Sequence, residues 1–110
     1  MDEARLPEFG PAAAPLSAGV DYQTGSIVSR RIIQKPAGSV TLFAFDADQE
    51  LSAHSAPFDA LVYVVEGEAA ITVDDRRQTV RAGEMILLPA EHPHAVQAPA
   101  RFKMLLVMIR

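Results

Sequence analysis

A chain of 110 residues with 10 Lys+Arg against 14 Asp+Glu carries a formal charge of −4 and no cysteine. It can form one domain with a real core, but no disulfide framework, thiolate metal site or cysteine nucleophile. Scattered arginines on an acidic chain leave no basic stripe for a phosphate backbone, and no apolar run approaches the roughly 18 residues of a membrane-spanning helix. Asp2 and Glu3 stand where a secretory signal needs positive charge, so a soluble cytoplasmic domain without nucleic-acid or membrane partners is expected. Any transition metal must then rely on carboxylates and the 3 histidines.

In chain order, residues 1–25 mix proline, glycine and an alanine run with no period of 3.6 or 2. This is expected to be an irregular arm, with Leu6, Phe9 and Leu16 available to pin it across a sheet. From Ser26 the texture changes to short β-branched and aliphatic runs closed by Gly, Pro or Asp. The runs Ile27–Gln34, Val40–Phe45, Leu61–Val65, Ala69–Val73, Gln78–Val80, Met85–Leu88, His94–Gln97 and Phe102–Ile109 predict eight short strands. Gly67 and Gly83 supply turn glycines, and Asp74-Asp75 suits a tight turn. No segment has helical amphipathicity, so residues 26–110 are expected to form one all-β sandwich or barrel.

Three of these runs, Leu61–Val65, Met85–Leu88 and Met104–Ile109, are apolar at both parities. A half-exposed strand should alternate, so both faces of that sheet require cover. The outer face is therefore expected to meet either the N-terminal arm or a second subunit, and a homodimer burying about 800 Å² per partner is the expected assembly.

The segments LVYVVEGEAAITV (61–73) and AGEMILLPAEHPHAV (82–96), with a histidine shortly before the first, resemble the cupin superfamily. The resemblance implies a double-stranded β-helix (jelly-roll) barrel. The first cupin motif runs Gly, five residues, His-x-His, three or four residues, Glu, six residues, Gly. Aligned on Gly67, it places Asp48 at the leading glycine, His54 and Ala56 at the two histidines and Ala60 at the glutamate. The second motif matches at Gly83, Pro89 and His94, with Glu91 and Ala98 in place of its other two residues. HSAPFDALVYVVEGEAAITV also looks like a group of small stand-alone bacterial cupins, largely of unassigned function, in which the Ala60 replacement is a feature of the group.

Metal-binding cupins usually supply three His and one Glu, and of these only His54 and His94 stand here. His92 is the candidate substitute, two residues before His94. Asp59, adjacent to the lost glutamate, should by parity point away. A divalent ion needs three or four convergent donors, so Zn, Ni, Fe or Mn is expected to bind weakly. The function expected is a small molecule held in the barrel, with His54 and His94 at the mouth and Phe43, Tyr63 and Met104 among the lining residues. The alternative is a metal-dependent dioxygenase or isomerase using the two histidines and a substitute ligand. A third possibility is a structural dimer whose lumen is filled by side chains. Ser52 and Ser55 lie near His54, but no carboxylate is placed by sequence to complete a nucleophilic triad.

Overall fold

The computed structural model describes residues 6–110. After a short 3-10 turn at Leu16–Gly19 come nine strands: β1 Ile27–Lys35, β2 Gly38–Phe45, β3 Glu50–His54, β4 Asp59–Glu66, β5 Glu68–Val73, β6 Arg76–Arg81, β7 Met85–Leu88, β8 His94–Gln97 and β9 Phe102–Ile109. They form a five-stranded sheet in the order β1-β2-β9-β4-β7 and a four-stranded sheet in the order β3-β8-β5-β6. Every recorded pairing is antiparallel. This is the expected all-β jelly roll, with two sheets enclosing one core.

Alternation explains the core. Val62 and Val64 of β4, Ile71 of β5, Phe102 and Met104 of β9 and Phe45 of β2 point between the sheets and are buried. Phe45 and Phe102 are register partners, and their rings stack at 4.6 Å. Gly67 closes the β4–β5 hairpin at φ +73°, where a Cβ would also stand 2.5 Å from the Arg101 carbonyl oxygen, so glycine is required there on two counts.

Sequence patterning misses β3. Its residues, Glu-Leu-Ser-Ala-His, contain one large apolar side chain and are mostly exposed, and the register slips between Leu51 and His54, which erases alternation. Strand β6 is longer than its apolar signal for a related reason: only Val80 of Arg76–Arg81 is buried, the rest forming a solvent face.

The described part of the arm lies across the outer face of the five-stranded sheet. Val20 is buried against Leu42 and Ala44, with Phe9, Leu16 and Tyr22 packed around them. Polar anchors hold it: Lys103 Nζ donates to the Ser17 carbonyl at 2.7 Å, Arg30 to the Gly19 carbonyl at 2.9 Å, and the Tyr22 hydroxyl to Glu66 at 2.5 Å. Burial, reinforced by the Glu66 acceptor and its charge, holds the Tyr22 phenol well above its usual range, so it stays a donor at any physiological pH. The arm covers only part of the face, leaving Tyr63, Met85, Leu87 and Ile109 exposed. Among the described residues no helix is long and apolar enough to cross a membrane.

Candidate functional site

His54 ends β3 and His94 begins β8, and the two are register partners. The bulge is what brings them into the lumen. Leu51 pairs with Val96 and His54 with His94, so three steps on β3 match two on β8. Leu51 and His54, of opposite parity in sequence, therefore both face the interior. The two imidazole rings meet edge to face with centres 4.5 Å apart.

Each ring is held in one tautomer by its own backbone. His54 Nδ1 lies 3.0 Å from the Ser52 carbonyl oxygen, and His94 Nδ1 lies 3.2 Å from that of His92. A carbonyl oxygen only accepts, so each Nδ1 carries the hydrogen and each neutral ring presents a bare Nε2 lone pair. Burial pushes the His94 imidazole below its ordinary value; the bond to the His92 carbonyl opposes this and the charge of a protonated His54 adds to it. The folded protein thus binds this proton less well than the unfolded chain. Stability linked to His94 is present above the unfolded pKa of about 6.5 and is lost as pH falls through the lower folded value.

Behind the histidines lies a cavity of about 50 Å³ walled by Leu51, Val62, Leu88, Val96, Met104 and Leu106. That is room for a few non-hydrogen atoms, far below the roughly 300–1,000 Å³ of drug-sized sites. Larger hollows exist, one of about 240 Å³ beside Asp48, Glu50, Arg77 and Gln97 and one of about 250 Å³ beside Asp59, Leu87 and Pro89. The Nε2 pair opens on neither, and chemistry follows the donors, not the volume.

Of the residues predicted to line the lumen, His54, His94 and Met104 do so. Tyr63 does not: Val62 and Val64 take the inward positions of β4, so Tyr63 points outward, 36% exposed and in register with Met85 and Leu105. Phe43 faces the same core but packs near Phe45, ring centres 6.1 Å apart, away from the cavity. His92, the predicted substitute ligand, turns aside to Asp74 with Nδ1 3.0 Å from the carboxylate, and reaches the site only through its carbonyl. Asp59 points away as parity requires, its carboxylate accepting from the Ala90 N–H at 2.9 Å. Ala60 is inward and buried, opposite Leu88 and Met108. Ala56 lies in the loop after β3, its carbonyl accepting from the Glu91 N–H at 2.7 Å. The apolar walls went unnamed at the level of sequence, although alternation on β4, β8 and β9 marks Val62, Val96 and Leu106 as inward.

Among the described residues no group of three or more His, Cys, Asp or Glu converges on a point that could hold a metal ion. Two imidazoles without a carboxylate do not fit the four-ligand divalent site common in cupins, because nothing offsets the ion's charge or fills its shell.

A family profile described as Cupin domain matches residues 41–109. Among solved structures, a conserved protein of unknown function from Streptococcus pyogenes is 32% identical with a TM-score of 0.89, over 98% of this chain and 96% of that one. A Cupin 2 conserved barrel domain protein from Leptotrichia buccalis is 41% identical with a TM-score of 0.83, over 86% of this chain; this chain spans 46% of that protein's length. A cupin superfamily protein from Desulfitobacterium hafniense is 27% identical with a TM-score of 0.87, over 96% and 98% of the two chains. A search of curated proteins returns no match. Since the matched region runs from β2 to the end of β9 and includes both histidines and every cavity wall, the chain belongs to the cupin family.

Proposed function

We propose that this protein binds a small molecule of a few non-hydrogen atoms at the lumen mouth, its apolar part against Val62, Val96 and Leu106 and its one polar group at the two imidazoles. A single observation carries this reading: two imidazoles, each with Nδ1 within hydrogen-bond distance of a backbone carbonyl that leaves Nε2 to a ligand, line an otherwise apolar cavity. With both rings neutral the pair accepts hydrogen bonds and favours an alcohol or amine. With one ring protonated it becomes an anchor for a carboxylate, and His54 and His94 are the titratable groups lining this cavity. The cavity volume limits the ligand to short chains. A divalent-metal enzyme of dioxygenase or isomerase type would need donors from a substrate or from water beyond the two histidines.

The test is a thermal-shift screen of short monocarboxylic acids and matched alcohols at pH 7.5 and pH 5.5. The apo protein should melt lower at pH 5.5, from the His94 linkage. Against each apo baseline, a ligand at about 100 times its Kd contributes about 2.7 kcal/mol, a rise of roughly 10 °C or more for a domain of this size. Acids should reach that rise only at the lower pH, and His94→Ala should abolish it. Equal shifts at both pH values, or an undiminished shift in His94→Ala, would remove the histidines from recognition.

A further inference from the structure

We propose a second binding site, on the outer face of the four-stranded sheet, for a free α-amino acid: Arg77 takes its carboxylate, and Asp48, Glu50 and Gln97 take its ammonium group. The site lies on the opposite side of that sheet from the lumen and does not depend on the reading above.

Strand parity builds it. Leu51, Ile71 and Val96 point between the sheets, so Glu50, Thr72 and Gln97 point out. Arg77 joins them as the register partner of Thr72, and Glu50 is the partner of Gln97. Between the long side chains stand the short ones of Ala70, Thr72 and Ala95, which leaves the face concave. The hollow of about 240 Å³ reaches from Arg77 on β6 to Asp48 and Glu50 at β3, with Ala98 and Pro99 as an apolar wall.

Three observations point to a dipolar ligand. Opposite charges share the hollow without meeting: the ion pairs among the described residues are Arg81–Glu68, His92–Asp74, Arg101–Asp46 and Lys103–Glu66, and Arg77, Asp48 and Glu50 belong to none of them. A simple anion would satisfy Arg77 but face two carboxylates, and a simple cation would meet the reverse. A zwitterion satisfies both walls.

Donors and acceptors also match. Gln97 Nε2 donates to Glu50 at 3.0 Å, which turns the amide oxygen of Gln97 into a free acceptor beside two carboxylates. That makes three acceptors for the three N–H groups of a primary ammonium, while a guanidinium meets a carboxylate through two parallel hydrogen bonds. The volume, just under the roughly 300 Å³ at which small-molecule clefts begin, suits a short apolar side chain laid against Ala98 and Pro99.

The acidic wall is held in place. The Asp48 N–H donates to the Ala98 carbonyl at 2.7 Å, and the Ala98 N–H to the Gln49 carbonyl at 3.0 Å, so the loop before β3 is tied to the end of β8 before any ligand arrives. Asp48 sits at φ +69°, in the left-handed region where glycine is unstrained and a side chain is not. The first cupin motif has glycine at this place, and here the position carries a carboxylate instead.

The test titrates L-alanine into ¹⁵N-labelled protein at pH 7 and low salt, with L-alanine amide and N-acetyl-L-alanine as probes that keep one charge each. L-alanine should move the amide signals of Asp48, Gln97 and Ala98, with one site per chain and a Kd on the order of 1 mM, while the ring signals of His54 and His94 stay. Each single-charge probe should bind at least 10-fold more weakly, and Arg77→Gln should weaken L-alanine by at least 10-fold. Asp48→Gly should weaken it at least 5-fold with the fold retained, since glycine takes this backbone without strain. Unmoved amides at Asp48, Gln97 and Ala98, a single-charge probe that binds as well as L-alanine, or undiminished binding in Arg77→Gln would each overturn the proposal. A response at the His54 and His94 rings alone would overturn this site and support the lumen reading.

Discussion

Replacing Leu87 with arginine is expected to turn a dimer of twice 11.9 kDa into a monomer, because we propose that a second copy covers the part of the outer sheet face that the arm leaves open. The arm is already committed over Leu42, Ala44 and Leu105. Beyond it Tyr63, Met85, Leu87 and Ile109 are 36%, 47%, 60% and 63% exposed, and β4, β7 and β9 join them through Leu61 and Val107 into one patch. These side chains carry no charge, and Asp59, in register with Ile109 at the patch edge, has one carboxylate oxygen engaged by the Ala90 N–H, so the patch can meet a second copy of itself under a two-fold axis, as an isologous interface requires. A stable dimer needs about 800 Å² from each partner, more than the few hundred Å² of apolar patch usual on a monomer. An arginine at Leu87 enters such an interface twice and costs the monomer little, since that position is mostly solvent-facing. Sedimentation velocity at micromolar concentration should show dimer for the wild type and monomer for Leu87→Arg. A wild-type monomer, or a variant that remains dimeric, would refute the assignment.

The second large effect concerns the two alanines at ligand positions. Ala60→Glu combined with Ala56→His should raise affinity for Zn(II) or Mn(II) by at least about 10³-fold, because it supplies the third and fourth donors and the missing negative charge. Ala60 is inward, opposite Leu88, which also lines the histidine cavity. Ala56 lies on a loop pinned to the 89–93 segment through Glu91. Without metal the new carboxylate sits uncompensated at a position 8% exposed and should lower the melting temperature, which added metal restores in a concentration-dependent way. Titration calorimetry should find one ion per chain. No gain in affinity would mean that the first motif is aligned in the wrong register.

The strands with strong apolar patterning were readable because alternation and turn glycines act locally: β4, β7 and β9 carry runs that no helix period explains. Strand β3 was hidden by its polarity and by its bulge, and that bulge is what turns His54 inward. His54 and His94 were found through motif spacing, which needs no knowledge of the strand. Tyr63 was misplaced for want of parity: with Val62 and Val64 inward, it has to point out. His92 failed as a ligand because Asp74, 18 residues away, engages its ring, a contact that two loops make only in three dimensions. The limited reach of the arm over the sheet likewise depends on anchors far apart in sequence, such as Lys103 to Ser17.

The site stands or falls on the two Nε2 atoms, and ¹⁵N correlation spectra of the histidine rings at pH 7.5 read them directly. His54 and His94 should both show a protonated Nδ1 and an unprotonated Nε2, and both Nε2 signals should move when a lumen ligand is added while those of His92 do not. An Nε2–H tautomer at either ring, or a response confined to His92, would contradict the account.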